Sequence, residues 1–113
     1  MAGRVEGAIS VVAAGERWPD GSLRPAAEDL WGAGAVLSAL GAGDASPEAR
    51  SAAAAYDAVR DELGTSLQQS ASGRELVAAG FERDVEIAAA VDVSRVVPLL
   101  RGEVFVDARA DQE

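Results

Sequence analysis

The sequence contains no cysteine, no histidine and no lysine, and each absence closes off a line of chemistry. Without cysteine there is no disulfide, no thiolate metal ligand and no cysteine nucleophile. Without histidine there is no serine–histidine triad within the chain. A zinc site would have to be built from carboxylates alone, and oxygen-only ligation suits Mg²⁺, Mn²⁺ or Ca²⁺ instead. All ten basic residues are arginine, so an anionic ligand has only arginine forks, backbone N–H groups or a metal to hold it. Aromatic residues are scarce: Trp18, Trp31, Tyr56, Phe81 and Phe105 are all there are. Hydrophobic residues make up 49% of the chain, but many are alanine. At about 25 cal/mol per Å² buried, such a core leaves little margin over chain entropy, which predicts a homo-oligomer or docking to a further lobe. The net charge of −9 argues against nucleic acid and anionic membrane as partners, because both require a positive footprint. No apolar run approaches the roughly 20 residues that span a bilayer, and Met1-Ala2-Gly3-Arg4 begins no secretory signal. The expectation is a soluble, cytoplasmic protein.

At 113 residues the chain is one domain or a lobe of a larger one. Residues 8–13 have the β-branched density of a short buried strand. A polar loop follows, in which Gly15 and Pro19-Asp20-Gly21 supply turn chemistry. Pro25 suits a first helical position and keeps Arg24 just outside the helix, which runs to about Leu40 with Leu30, Trp31, Gly34, Leu37 and Leu40 near one stripe. Gly32 and Gly34 each cost about 1 kcal/mol in a helix interior, which predicts close approach of this helix to a sheet. Ser46-Pro47 starts a second helix, whose apolar stripe of Ala52, Tyr56, Val59 and Leu63 carries it to near Gly64. Residues 65–71 read as a short helical turn. Ser72-Gly73-Arg74-Glu75 reads as a capping box, with Gly80 just past the end of that helix. A helix over 82–91 turns Val85, Ala88 and Ala89 inward. Residues 95–99 and 103–106 form a hairpin, and 107–113 is a frayed tail. The fold class is α/β: a strand–loop–helix, then helices, then a C-terminal strand pair.

The order of Ala14-Gly15, Asp20-Gly21-Ser22, Arg24, Glu28-Asp29 and Gly32-Ala33-Gly34 resembles the C-terminal half of the 2-phosphosulfolactate phosphatase family. The later stretches Ser72-Gly73-Arg74-Glu75-Leu76, Gly80-Phe81, Asp84-Val85-Glu86, Asp92-Val93-Ser94, Val97-Pro98 and Phe105-Val106 are similar to it too. The resemblance implies one lobe of a two-lobed α/β fold. It also implies Mg²⁺-dependent hydrolysis of 2-phosphosulfolactate, a step toward coenzyme M, or of another phosphate ester, with a small phosphorylated or sulfonated acid as the bound partner. The family's N-terminal half has no counterpart in these residues.

Phosphomonoester hydrolysis needs a cation against the phosphoryl oxygens, carboxylates to hold it, an activated nucleophile and an acid for the leaving oxygen. Glu16, Asp20 and Glu28 are the candidate catalytic acids, and Asp29 with Glu28 the candidate metal ligands. Acids in the first helical turn also complement the helix dipole without any ligand, so Glu28 and Asp29 have two readings. Arg24, a cation beside a helix N-terminus, needs a compensating anion, either Glu28 or a bound phosphate or sulfonate. Arg74 is a second anion contact or surface decoration, and Arg17 with Trp18 a lid over the loop or merely exposed neighbours. The rival reading is a non-catalytic module that binds a small anion or a protein.

Overall fold

The computed structural model describes residues 6–41 and 43–110. The turn at Pro19-Asp20-Gly21 is closed by Gly21 N–H to the Trp18 carbonyl at 2.8 Å. Proline suits the first corner of such a turn, and Gly21, at φ 86°, takes the left-handed position that follows. This turn joins the short antiparallel strands β1 (Glu16–Arg17) and β2 (Leu23–Arg24), with Glu16 opposite Arg24. The polar loop of the sequence is thus itself a small hairpin. Residues 8–13, expected as a strand, pair with no described strand. A β-branched stretch becomes a strand only through a ladder, and none of the described residues supplies one.

Helix α1 (Ala27–Leu40) begins two residues after Pro25, with Ala26 as its N-cap. Pro25 is therefore outside the helix and not at its first position. Helix α2 (Pro47–Asp57) starts as expected: the Ser46 hydroxyl accepts from Ala49 N–H at 3.2 Å and Pro47 occupies the first turn. It stops earlier than its apolar stripe suggests. Instead the chain tightens through the 3₁₀ turn Arg60–Glu62 and restarts as α3 (Leu63–Gln69). Helices α4 (Ala71–Ala78) and α5 (Glu82–Ala89) follow. Gly80, at φ 87°, terminates α4 with Phe81 N–H bonded back to the Leu76 carbonyl at 2.8 Å. Strands β3 (Pro98–Arg101) and β4 (Val104–Asp107) form the expected hairpin, with Leu100 opposite Phe105 and Gly102 at φ 62° in the turn. Asp107 anchors its base by accepting from the Val97 and Arg109 amides at 3.1 and 3.0 Å. The mixed helix and strand content is that of an α/β chain. The expected frayed tail overlaps the end of β4, and its last residues, 111–113, lie outside the described ones, as does the N-terminal stretch 1–5.

The principal packing is α1 against α2, and α3, α4 and α5 against one another. Gly34 is buried where the first two helices meet: a Cβ there would overlap the Ala52 carbonyl oxygen and lie 2.9 Å from Tyr56 Cβ. The close approach expected of α1 is therefore to a helix and not to a sheet, and Gly32 has no neighbour within 4 Å of the same test position. The core is small. Among the described apolar residues only Ala53, Leu67 and Val85 are buried. The radius of gyration is 16.0 Å, against about 13 Å for a compact chain of this length.

Candidate functional site

Two helix N-termini meet at one groove of about 470 Å³, lined by Pro25, Ala26, Ala27, Glu28 and Trp31 on one side and by Ser66, Gln69, Ser70, Ala71 and Ser72 on the other. That volume suits a small ligand. On the α1 side the N-cap is alanine, with no side-chain oxygen to take the first amides. On the α4 side Ser70 is the N-cap, its hydroxyl accepting from Gly73 N–H at 3.0 Å. The capping box expected at Ser72 is thus displaced by two residues. Ser72 lies inside the first turn and lines the groove, and Glu75 points elsewhere. The backbone N–H groups of Ala27, Glu28, Ala71 and Ser72 donate to no described residue. Unclaimed amides at the positive ends of two helices form an anion-binding concavity.

Gly73 explains how α4 comes so close. A Cβ on it would overlap the Leu67 carbonyl oxygen, so the first turn of α4 can lie directly on the end of α3 only with glycine there. Arg74 Nε donates to the Gln69 carbonyl at 3.0 Å and ties the same corner.

Glu28 is the acid of this groove. Its Oε2 is buried without a hydrogen-bond partner, a state that costs about 1–3 kcal/mol. Glu28 also lines the adjoining apolar pocket beside Leu67, Ser72, Val85 and Asp84. Asp29 Oδ2 is likewise buried and unpartnered, but Asp29 faces a different groove, with Gly15, Leu23, Arg24 and Leu30. Successive helical residues are about 100° apart, and here that angle sends the two acids to neighbouring grooves. Among the described residues no three acids gather as a metal cluster.

The other candidates lie in the β1–β2 hairpin or at its edge. Arg24, part-buried on β2, reaches Glu75 at 2.8 Å and Glu16 at 3.4 Å, with its guanidinium 4.9 Å from the centre of the Trp18 ring. The hydrogen bond it donates to Glu75 is the main reason its pKa is raised further. Its direct ion-pair partners are thus Glu75 and Glu16, while Glu28 adds a smaller, longer-range attraction without an ion pair. Because α1 starts late, Arg24 stays on the strand and faces its register partner. Arg17 donates to the Gly21 carbonyl at 2.9 Å and closes the hairpin. Asp20, exposed at the tip, accepts from the Ser22 hydroxyl at 2.6 Å and the Ser22 amide at 2.9 Å, and these bonds hold its carboxyl below the usual range. The structure therefore brings Arg24, Glu16 and Trp18 together, leaves Asp20 and Arg17 engaged with their own turn, and places Glu28 apart from them beside the serines. Ser66, Gln69 and Ser70 escaped the sequence reading, and Ser72 entered it only as a cap. Their signal was faint: a polar stretch between two helices, next to a glycine with no turn to make.

The model of the 2-phosphosulpholactate phosphatase family matches residues 2–103. A Thermotoga petrophila protein described as a probable 2-phosphosulfolactate phosphatase is 33% identical over 79 residues, covering 70% of this chain and 35% of that protein. The chain thus spans about a third of the length of the curated relative it matches. No solved structure matches it. A family match over nearly the whole chain makes this chain a member of the 2-phosphosulfolactate phosphatase family.

Proposed function

We propose that the chain is a lobe of a two-lobed α/β phosphatase and hydrolyses a small acidic phosphomonoester resembling 2-phosphosulfolactate, with the phosphoryl group held between the N-termini of α1 and α4. One observation carries this reading: the groove is lined by Ala27, Glu28, Ala71 and Ser72, whose amides donate to no described residue, and Glu28 there keeps a buried carboxylate oxygen without a partner. Amides and hydroxyl donate to the phosphoryl oxygens and favour the charge that spreads over them as the P–O bond breaks. Water supplies the new bond to phosphorus as the ester P–O bond breaks, Glu28 accepts a proton from it or orients it, and the departing alkoxide takes its proton from solvent water.

The donor set fits magnesium to the extent of one carboxylate, since Mg²⁺ keeps several waters and takes one or two protein acids. Glu28 would hold it at this groove, and Asp29 opens on the neighbouring one. When bound, the ion would neutralise phosphoryl charge and lower the pKa of a bound water. Arg24 and Arg74 serve here by shaping the rim, through the hairpin and through Gln69. Glu28 as the single acid among the described residues lining the groove also favours a second reading, a lobe that binds the anion without turning it over.

The experiment is release of phosphate from 2-phosphosulfolactate with and without Mg²⁺, alongside calorimetry with inorganic phosphate, on the wild type, Glu28→Gln and Ser72→Val. Mg²⁺-dependent turnover lost in Glu28→Gln supports catalysis. Phosphate binding without turnover, weakened by Ser72→Val, supports the binding lobe. Neither turnover nor phosphate binding refutes both.

A further inference from the structure

Gly32 stands in the interior of α1, where glycine is less favourable than alanine, and packing does not require it: a Cβ there would meet nothing within 4 Å. The residue opens instead on a pocket. Gly32 lines a cavity of about 220 Å³ together with Trp31, Tyr56, Leu63, Leu67 and Val91, which come from α1, α2, α3 and the chain just past α5. Glu28 is the single charged residue among those lining it. An apolar cavity of about 150 Å³ is enough to bind benzene, so this one admits a six-membered ring. Glu28 and Trp31 also line the groove between the N-termini of α1 and α4. The pocket thus lies beside the place proposed for the phosphoryl group.

We propose that the lobe binds, in addition to an acidic ester, a second class of phosphate monoester, one whose alcohol carries an aryl or similarly compact apolar group. The phosphoryl group takes the unclaimed amides of the groove, and the ring enters the pocket at Gly32. This rests on the groove being the phosphoryl site. An uncharged ring suits the pocket because no arginine lines it to meet a further acid group. The rings of Trp31 and Tyr56 give an aryl group partners for edge or face contact. A side chain at position 32 would occupy the same room, which gives the glycine a use that helix packing does not.

Isothermal titration calorimetry of the 113-residue chain with inorganic phosphate, methyl phosphate and phenyl phosphate tests this, on the wild type, Gly32→Ala and Gly32→Leu. Methyl phosphate has the charge of the aryl ester without its ring. Phenyl phosphate should bind roughly tenfold to a hundredfold more tightly than methyl phosphate, the gain expected from burying one ring. Gly32→Leu should remove that preference and leave methyl phosphate affinity unchanged. Gly32→Ala, whose methyl group has open space to enter, should reduce the preference in part, and a far-ultraviolet circular dichroism spectrum like that of the wild type shows the helices intact in each variant. Equal affinity of the wild type for phenyl and methyl phosphate overturns the proposal and leaves the phosphoryl site standing. So does a preference that both folded Gly32 variants keep. If none of the three ligands binds, the phosphoryl site itself fails and the proposal falls with it.

Discussion

Replacing Glu28 with leucine should make the protein more stable. Glu28 sits in the first turn of α1 with Oε2 buried and without a partner. Burying a polar atom without a hydrogen bond costs about 1–3 kcal/mol, while an acid in the first turn returns about 0.3–1 kcal/mol from the dipole. The balance is against the glutamate by roughly 1–2 kcal/mol. Leucine would set an apolar side chain beside Leu67, Val85 and Ala88, which share the adjoining pocket. Glu48 is the control, a first-turn acid on α2 that is exposed. It draws the same dipole benefit with no burial, so Glu48→Leu should lose about 0.3–1 kcal/mol. Urea and thermal unfolding at one pH and salt concentration read both variants. For a domain near this size, 1 kcal/mol moves Tm by about 4–8 °C. Glu28→Leu should move up by several degrees and Glu48→Leu slightly down. A fall in both would mean that Glu28 is only a dipole partner, and the argument that its carboxylate is held in reserve for a ligand would fail. Stabilisation with loss of phosphate binding or turnover is the pattern expected where a strained group serves function.

Gly34→Ala should destabilise, because the added methyl meets the Ala52 carbonyl and Tyr56 Cβ, and overpacking of about 1–3 kcal/mol exceeds the ~1 kcal/mol gained in helix propensity. Gly32→Ala, with nothing within 4 Å, should gain nearly the whole propensity term. Equal melting temperatures for the two would refute the close contact of α1 with α2. Asp107 has its carboxyl held below the usual range by the Val97 amide first and the Arg109 amide second. A depressed carboxylate pKa contributes stability that is present above the unfolded value and lost as pH falls through the folded one. The β3–β4 hairpin should therefore loosen below about pH 4, seen as faster exchange of the Val97 and Arg109 amides, and Asp107→Asn should remove that pH dependence. An unchanged profile in the variant would exclude Asp107 as the anchor.

What was legible in the sequence is local. Ser46-Pro47, Gly80 and the turn at Gly102 each solve a backbone problem within a few residues, and each stands where the residue types alone place it. The strand expected at 8–13 failed because a ladder needs a partner from elsewhere, and β-branched residues cannot announce whether one is present. The capping box failed for a subtler reason. Ser70 and Ser72 both precede a good helical stretch, and the choice between them was made by Gly73 lying on the Leu67 carbonyl, a contact between helices. That choice relocated the chemistry. With the cap at Ser70, Ser72 is released to the groove and Glu75 to Arg24, fifty-one residues away along the chain. The acids that looked like a pair, Glu28 and Asp29, are separated by the helix they share, and Glu28 is joined instead to serines of a different helix. Charge clustered along a sequence is thus weak evidence for charge clustered in space. Ala26 was the overlooked clue: a helix that starts on alanine leaves its first amides unclaimed, and a groove already lined by a second helix N-terminus gives those amides a use.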